Sequence, residues 1–280
     1  MSEHIKVACV QLTSTTDIGR NIDISSELIR EAHGAGAQLI SLPEVVNLVQ
    51  RSRRKSAEVI NTEDEETSLK AYRELAAELG VWLHTGSLVI KLLDDERNVN
   101  RSFLIDDKGA IAATYDKIHM FDADVGDGKM YRESASFSAG QSPVIAHIDN
   151  VPCGLTICYD VRFAHLYRRL ALDGAQLFLV PAAFTALSGK AHWHVLLRAR
   201  AIETGCYIVA PAQSGTHADG RKTYGHSLII NPWGEIMAEA QDGDSIIYAA
   251  LDLSATARAR NAIPSLKTNP VIGPTRMIGP

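Results

Sequence analysis

Residues 5 to 12 read IKVACVQL, with apolar side chains in near-alternation, which predicts a strand. The spacing then changes. Over residues 23–33, Ile24, Leu28 and Ile29 recur at helical intervals, and the segment stops at Gly34 and Gly36, residues suited to a helix C-terminus. QLISLPE predicts a buried strand ending at Pro43 and Glu44, and Thr67–Leu79 is helical again, with Ala71, Leu75 and Leu79 on one stripe. VWLHTGSLVI, VNRSFLID and AIAATYDK predict three successive strands. Residues 120–142 form a long glycine-rich, acidic connection, a kind of segment that in compact folds is functional or mobile.

The second half repeats the alternation. PVIAHI and GLTICY predict strands, residues 162–172 a helix, AQLFLVPA a buried strand, and residues 191–203 a helix with Leu196 and Leu197 inward. CYIVAPAQ, YGHSLIINP, EIMAEA and SIIYAALDL predict four more strands. From about residue 255 one helical piece leads to Pro264, Pro270, Pro274 and Pro280, which predict an extended tail. Strands and helices alternate with no linker rich in proline, serine or charge, and no short repeat. The expectation is an α/β fold, one domain over residues 1–280.

Composition narrows the function classes. With 46% hydrophobic and 22% charged residues the chain is ordinary globular protein, long enough to bury a large core. A net charge of −5 gives no reason to expect nucleic acid as a partner. The four cysteines, Cys9, Cys153, Cys158 and Cys206, are scattered and form no C-x-x-C pair, which argues against a disulfide framework and a cysteine-rich zinc site and predicts a reduced, cytoplasmic protein. The N-terminus lacks the basic region of a signal peptide, and no apolar stretch approaches the roughly 20 residues that span a bilayer, so no membrane association is expected.

Three polar residues share one setting: Glu44, Lys117 and Cys158 each end a predicted strand. In α/β sheets ligands bind beyond the carboxyl ends of strands. A carboxylate there can take a thiol proton and return it to a leaving group, and an ammonium can stabilise an oxyanion. Together they suggest acyl transfer without histidine. Taken singly, the cysteine also reads as core, and the glutamate and lysine as solvated strand ends. His192 and His194 form an H-x-H, but positions two apart on a helix do not face each other, so no metal is expected. The basic run RSRRK at 51–55 reads as a solvated face or as an attractor for an acidic substrate. HGAGA lacks the full dinucleotide-binding pattern. Phe184, just past a strand end, is a candidate for the pocket wall or the core.

These residues lie in segments that resemble the nitrilase superfamily of carbon–nitrogen hydrolases: VACVQL, LPE, YDKIHMFD, GLTICYDVRF, and further on SGKAHWHVLLRARAIETGCYIVAPAQ and YGHSLIINPWGE. The later segments look most like the branch of deaminated-glutathione amidases and ω-amidases. The resemblance implies a four-layer αββα sandwich and a Glu44–Lys117–Cys158 triad. It also implies that Glu133, in YRESASFSAG, positions substrate and lysine, and that the backbone N–H of Tyr159 joins Lys117 in holding the oxyanion. It further implies a homodimer or larger homo-oligomer, with the tail from about residue 255 at the interface, and no cofactor. The expected activity is hydrolysis of short carboxylate-bearing amides through a thioester, deaminated glutathione first. An ω-amidase on α-ketoglutaramate, a nitrilase or carbamoyl-amide hydrolase, and a catalytically silent interaction protein of the same fold stay open. Where many relatives carry a glutamate after R-F-P, this chain has His165, which puts any interface role there in question.

Overall fold

Two sheets lie face to face, each covered on its outer side by helices. The structure, a computed structural model, describes residues 4–126, 128–268, 273–275 and 277. In chain order the first half holds β1 (His4–Gln11), α1 (Ile18–Gly34), β2 (Leu39–Ser41), α2 (Arg53–Ala57), α3 (Thr67–Leu79), β3 (Trp82–His84), β4 (Leu88–Lys91), β5 (Asn98–Ile105) and β6 (Ile111–Asp116). A small hairpin follows, β7 (Asp122–Asp124) and β8 (Met130–Arg132). The second half holds β9 (Val144–Ile148), β10 (Val151–Leu155), α4 (Ala164–Leu172), β11 (Leu177–Leu179), α5 (Ala186–Thr204) and β12 (Tyr207–Ala210). The hairpin β13 (Ser214–Thr216) and β14 (Lys222–Tyr224), then β15 (Leu228–Ile230), β16 (Ile236–Glu239), β17 (Ser245–Asp252) and α6 (Ala255–Ala262), complete it.

The first sheet runs β17-β1-β2-β3-β5-β4, with β6 also paired to β5; the second runs β16-β15-β12-β11-β10-β9. The centre of each is parallel, β1 with β2 and β3, β10 with β11 and β12. Parallel neighbours need crossovers, which α1, α3, α4 and α5 supply. Alternation sorts β1 between two layers. Val7 and Cys9 pack into the core shared by both sheets, whereas Ala8, Val10 and Leu12 pack toward Ile29 of α1 and Tyr72 of α3. Both faces of β1 are therefore covered, which is why Ala8 and Val10 are apolar where strict alternation would put polar residues. The four-layer expectation holds.

The helix ends follow local chemistry. The Asp17 carboxylate accepts the Arg20 N–H at 3.1 Å and starts α1 several residues before the periodic segment. The Thr185 hydroxyl accepts the Ser188 N–H, so α5 begins at Ala186, five residues earlier than expected.

Two other differences bear on function. VWLHTGSLVI is two strands, broken at Gly86, which has φ +66; a β-carbon there would lie 2.0 Å from the Pro43 carbonyl oxygen. That close approach holds the turn carrying Glu44, where Val45 N–H also donates to Ser87 Oγ at 2.9 Å. Residues 120–142 are not structureless: they contain β7, β8 and a 3₁₀ turn, Glu133–Ala135. The tail supplies α6 as expected; its later course falls largely on residues 269–272, 276 and 278–280, outside the described residues. Among the described residues no helix is long and apolar enough to cross a membrane.

Candidate active site

Glu44 follows β2 of the first sheet, Lys117 follows β6, and Cys158 follows β10 of the second sheet. The three strand ends meet at one pole of the sandwich. Against expectation, Cys158 does not end its strand; instead it opens a 3₁₀ turn, Cys158–Arg162, three residues beyond the end of β10. Its φ is +48, a strained conformation for a residue with a β-carbon, and its N–H is tied to the Pro181 carbonyl at 2.8 Å. The next N–H, that of Tyr159, finds no acceptor among the described residues.

Lys117 Nζ donates to Glu44 Oε1 at 3.0 Å and to both oxygens of Glu133 at 2.8 and 2.9 Å, using all three of its protons. Glu133 is placed by its 3₁₀ turn and by the Phe121 N–H, which donates to Oε2 at 2.6 Å. Glu44 also accepts from Asn100 Nδ2 at 2.9 Å and from the Ala183 N–H at 2.7 Å. The Cys158 thiol lines the same cavity as this carboxylate, close enough for the two to act on each other's charge. All four expected residues are thus brought together.

Burial and charge set their protonation. Burial alone would push Glu44 up, but the Lys117 ammonium and the hydrogen bonds outweigh it and hold the carboxyl below its ordinary range. For Lys117, burial disfavours the charge, but Glu133 and Glu44 on either side keep its pKa well above the ordinary value. Burial and the Glu44 charge drive Cys158 well above a normal thiol, with Lys117 opposing. These directions favour a carboxylate at Glu44, an ammonium at Lys117 and a neutral thiol at Cys158, an arrangement in which a carboxylate could take a thiol proton.

These groups sit in a cavity of about 360 Å³. Phe184, 6% exposed, lines it and packs on Trp193 at 4.9 Å between ring centres, so it serves both wall and core. Arg51, Arg53, Lys129, Arg132, Arg221 and Lys222 also line it, which gives the basic run at 51–55 a place at the cavity rim.

Other residues of the site carry no local signal. Asn100 holds Glu44, and its own Oδ1 is buried without a partner among the described residues. Asp160 braces the nucleophile turn from behind, bound to Tyr115, Ile157 and His119. Only tertiary folding brings Asn100 and Tyr115 to these partners. His165 is exposed and packs on His119 and Phe163, away from the cavity.

An αββα sandwich with a thiol, a carboxylate and an ammonium gathered at one pole has the parts of a cysteine hydrolase. The sequence profile described as carbon-nitrogen hydrolase matches residues 6–261. A deaminated glutathione amidase of Synechocystis sp. is 40% identical over 265 residues, covering 93% of this chain and 96% of the relative. The crystal structure of the C. elegans NitFhit protein superposes with a TM-score of 0.88 at 34% identity, over 95% of this chain; this chain spans only 65% of that longer one. Saccharomyces cerevisiae Nit3, a member of branch 10 of the nitrilase superfamily, gives a TM-score of 0.84 at 30% identity, covering 94% and 96%. The chain belongs to the carbon-nitrogen hydrolase family.

Proposed function

We propose that this protein is an amidase of one domain, using Cys158 as nucleophile, Glu44 as general base and acid, and Lys117 with the Tyr159 N–H as oxyanion donors. The observation that carries the reading is geometric: Cys158, held at φ +48, lines the same cavity as the buried Glu44 carboxylate, which accepts from Lys117 Nζ at 3.0 Å. Glu44 takes the thiol proton as Sγ attacks the amide carbon. Lys117 releases one of its two Glu133 bonds to reach the developing oxyanion, and Glu133 keeps the ammonium in place. Collapse breaks the C–N bond while Glu44 hands its proton to the departing amine or ammonia, leaving a thioester. Glu44 then deprotonates water, which attacks the thioester, and the proton returns to sulfur as the acid leaves. No step calls for a cofactor.

The substrate class follows from the rim. Six cations around a cavity whose floor is occupied by the reacting groups suit a short amide with a distal carboxylate. Deaminated glutathione, named for the Synechocystis relative, is the first candidate, ahead of α-ketoglutaramate. The reading includes a cytoplasmic homodimer. Leu172, Ile202, Trp233 and Ile263 are 48 to 56% exposed and line one groove beside α4, α5 and α6, an apolar face suited to a second copy.

The test is kcat/KM on both amides, a simple amide and a nitrile, with Cys158→Ala as control. We expect deaminated glutathione to lead and the variant to be inactive. Turnover by Cys158→Ala would remove the nucleophile, and a nitrile preference would remove the amidase. No ammonia or amine release from any substrate, and no acyl adduct on Cys158, would leave a silent binding protein.

A further inference from the structure

A second cluster of chemistry-bearing side chains lies outside the cavity. Helix α5, the turn after β14 and strand β16 bring His194, His226 and Glu239 to one point. His194 Nε2 and His226 Nδ1 each lie 2.9 Å from Glu239 Oε1, and one candidate ligand atom from each of the three falls within 4.8 Å of the others. None of these residues lines the active-site cavity. The H-x-H reading does not describe the cluster: His192 turns to Arg162 instead, with its Nδ1 3.2 Å from Nη1.

The three side chains are firmly aimed. His226 adopts φ +54, a conformation a β-carbon disfavours, and its carbonyl takes the Trp193 indole N–H at 2.8 Å. Its ring stacks on Tyr224 with centres 4.4 Å apart. They are also partly open: the side chains of His194, His226 and Glu239 are 28%, 23% and 30% exposed, so water can reach the point they share.

Two imidazoles and one carboxylate with an open side are a donor set for a four-coordinate ion completed by water. With metal–ligand bonds of about 2.0–2.2 Å, a tetrahedral ion spaces its ligands roughly 3.4 Å apart. The present 2.9 Å nitrogen–oxygen separations reach that by shifts of a few tenths of an ångström. Each imidazole then exchanges its N–H···O bond for a nitrogen–metal bond, the ring proton moving to the other nitrogen. Hard cations that prefer all-oxygen shells fit poorly.

We propose that His194, His226 and Glu239 form a binding site for a divalent transition-metal ion, zinc first, separate from the chemistry at Cys158. The ion joins α5 to the edge strand β16 and steadies the helix whose first turn contributes Ser188 to the cavity wall. Its effect is on stability, through preferential binding to the folded chain.

The experiment uses tag-free, chelator-treated Cys158→Ala protein, so that the reactive thiol cannot take the metal, titrated with Co²⁺ and then Zn²⁺. We expect one equivalent of Co²⁺ to give visible ligand-field bands, Zn²⁺ to displace it, and Tm to rise on saturation. In the same background His194→Gln and Glu239→Gln should lose the bands and the Tm rise. His226→Asn, which tolerates a positive φ, should do likewise. No saturable binding, saturation only at millimolar metal, or undiminished binding in His194→Gln would each overturn the proposal. His194→Gln with Cys158 intact should still turn over amide, which separates loss of the site from loss of the fold.

Discussion

Glu44 and Asp160 are both carboxylates sealed beside the Cys158 turn, 4% and 0% exposed. They differ in what donates to them. Asp160 accepts from the Tyr115 hydroxyl, the Ile157 N–H and both the N–H and Nδ1 of His119, at 2.7 to 3.1 Å. Every one of these donors belongs to the scaffold, so Asp160 holds a shape. Glu44 also accepts three scaffold and charge donors, but its remaining partner is the thiol, whose proton can leave. Proximity to a cysteine along the chain is thus a poor guide to its base. The residue two positions away is bound to the scaffold, and the base we propose comes from the opposite sheet.

The comparison breaks most sharply at Glu44→Gln. The amide keeps the size of the side chain and cannot take a proton. We expect kcat to fall about 10²–10⁴-fold, the range a positioned acid–base group contributes, with Tm changed far less than activity. Rapid-quench measurement of thioester formation checks the step: acylation at the parent rate would show that Glu44 is not the base.

The pH profile tests the same assignment without a mutation. The active form has Glu44 ionised and Cys158 protonated. Glu44 is held below its ordinary carboxyl value of 4.5, so activity should persist as pH falls to that region and be lost only as pH drops through the lowered value. Cys158 and Lys117 are both pushed up, so the alkaline limb should lie above the ordinary thiol value of 9.0. A histidine base would give an acid limb two units higher, near 6.5. An acid limb there in kcat/KM would replace Glu44 with an imidazole.

How much of this was legible in sequence follows the same division. Strand ends are local, so periodicity alone could place Glu44, Lys117 and Cys158 within three residues of strand ends, and the α/β alternation predicted the fold class. Glu133 needed the family motif, because a carboxylate in a glycine-rich loop has no local signature. Asp160 stands two places after Cys158, but its role has no local signature, since Tyr115 reaches it from 45 positions away in the chain. Asn100 and the Ala183 N–H, which fix Glu44 from 56 and 139 positions away, were invisible for the same reason. The split of β3 from β4 was missed because Gly86 answers to the Pro43 carbonyl rather than to its own segment. His194 was read with His192 and belongs with His226 and Glu239.

Asp160→Asn should have a smaller and different effect. Either orientation of the amide turns an NH₂ toward a backbone N–H that can only donate, that of Ile157 or that of His119, leaving a buried donor without its acceptor at a cost of about 1–3 kcal/mol. Tm should drop by several degrees and kcat by roughly tenfold as the turn loosens, while the pH limbs stay where they are. A shift of the acid limb in this variant would mean that Asp160 takes part in the proton transfer.

The smallest effect belongs to the rim, which touches neither carboxylate. Arg221→Gln removes one of six cations facing a charged substrate, and the other five remain. The loss should appear in KM, by a few-fold, with kcat nearly unchanged, because the interaction is the same in ground state and transition state. Raising ionic strength should produce the same change in the parent enzyme and less of it in Arg221→Gln, since exposed charges are screened within about 8–10 Å. A neutral amide of the same length should be indifferent to both. If Arg221→Gln instead lowered kcat with KM unchanged, the rim would be acting on the chemistry at Cys158, and the division between the groups that bind and the groups that react would have to be redrawn.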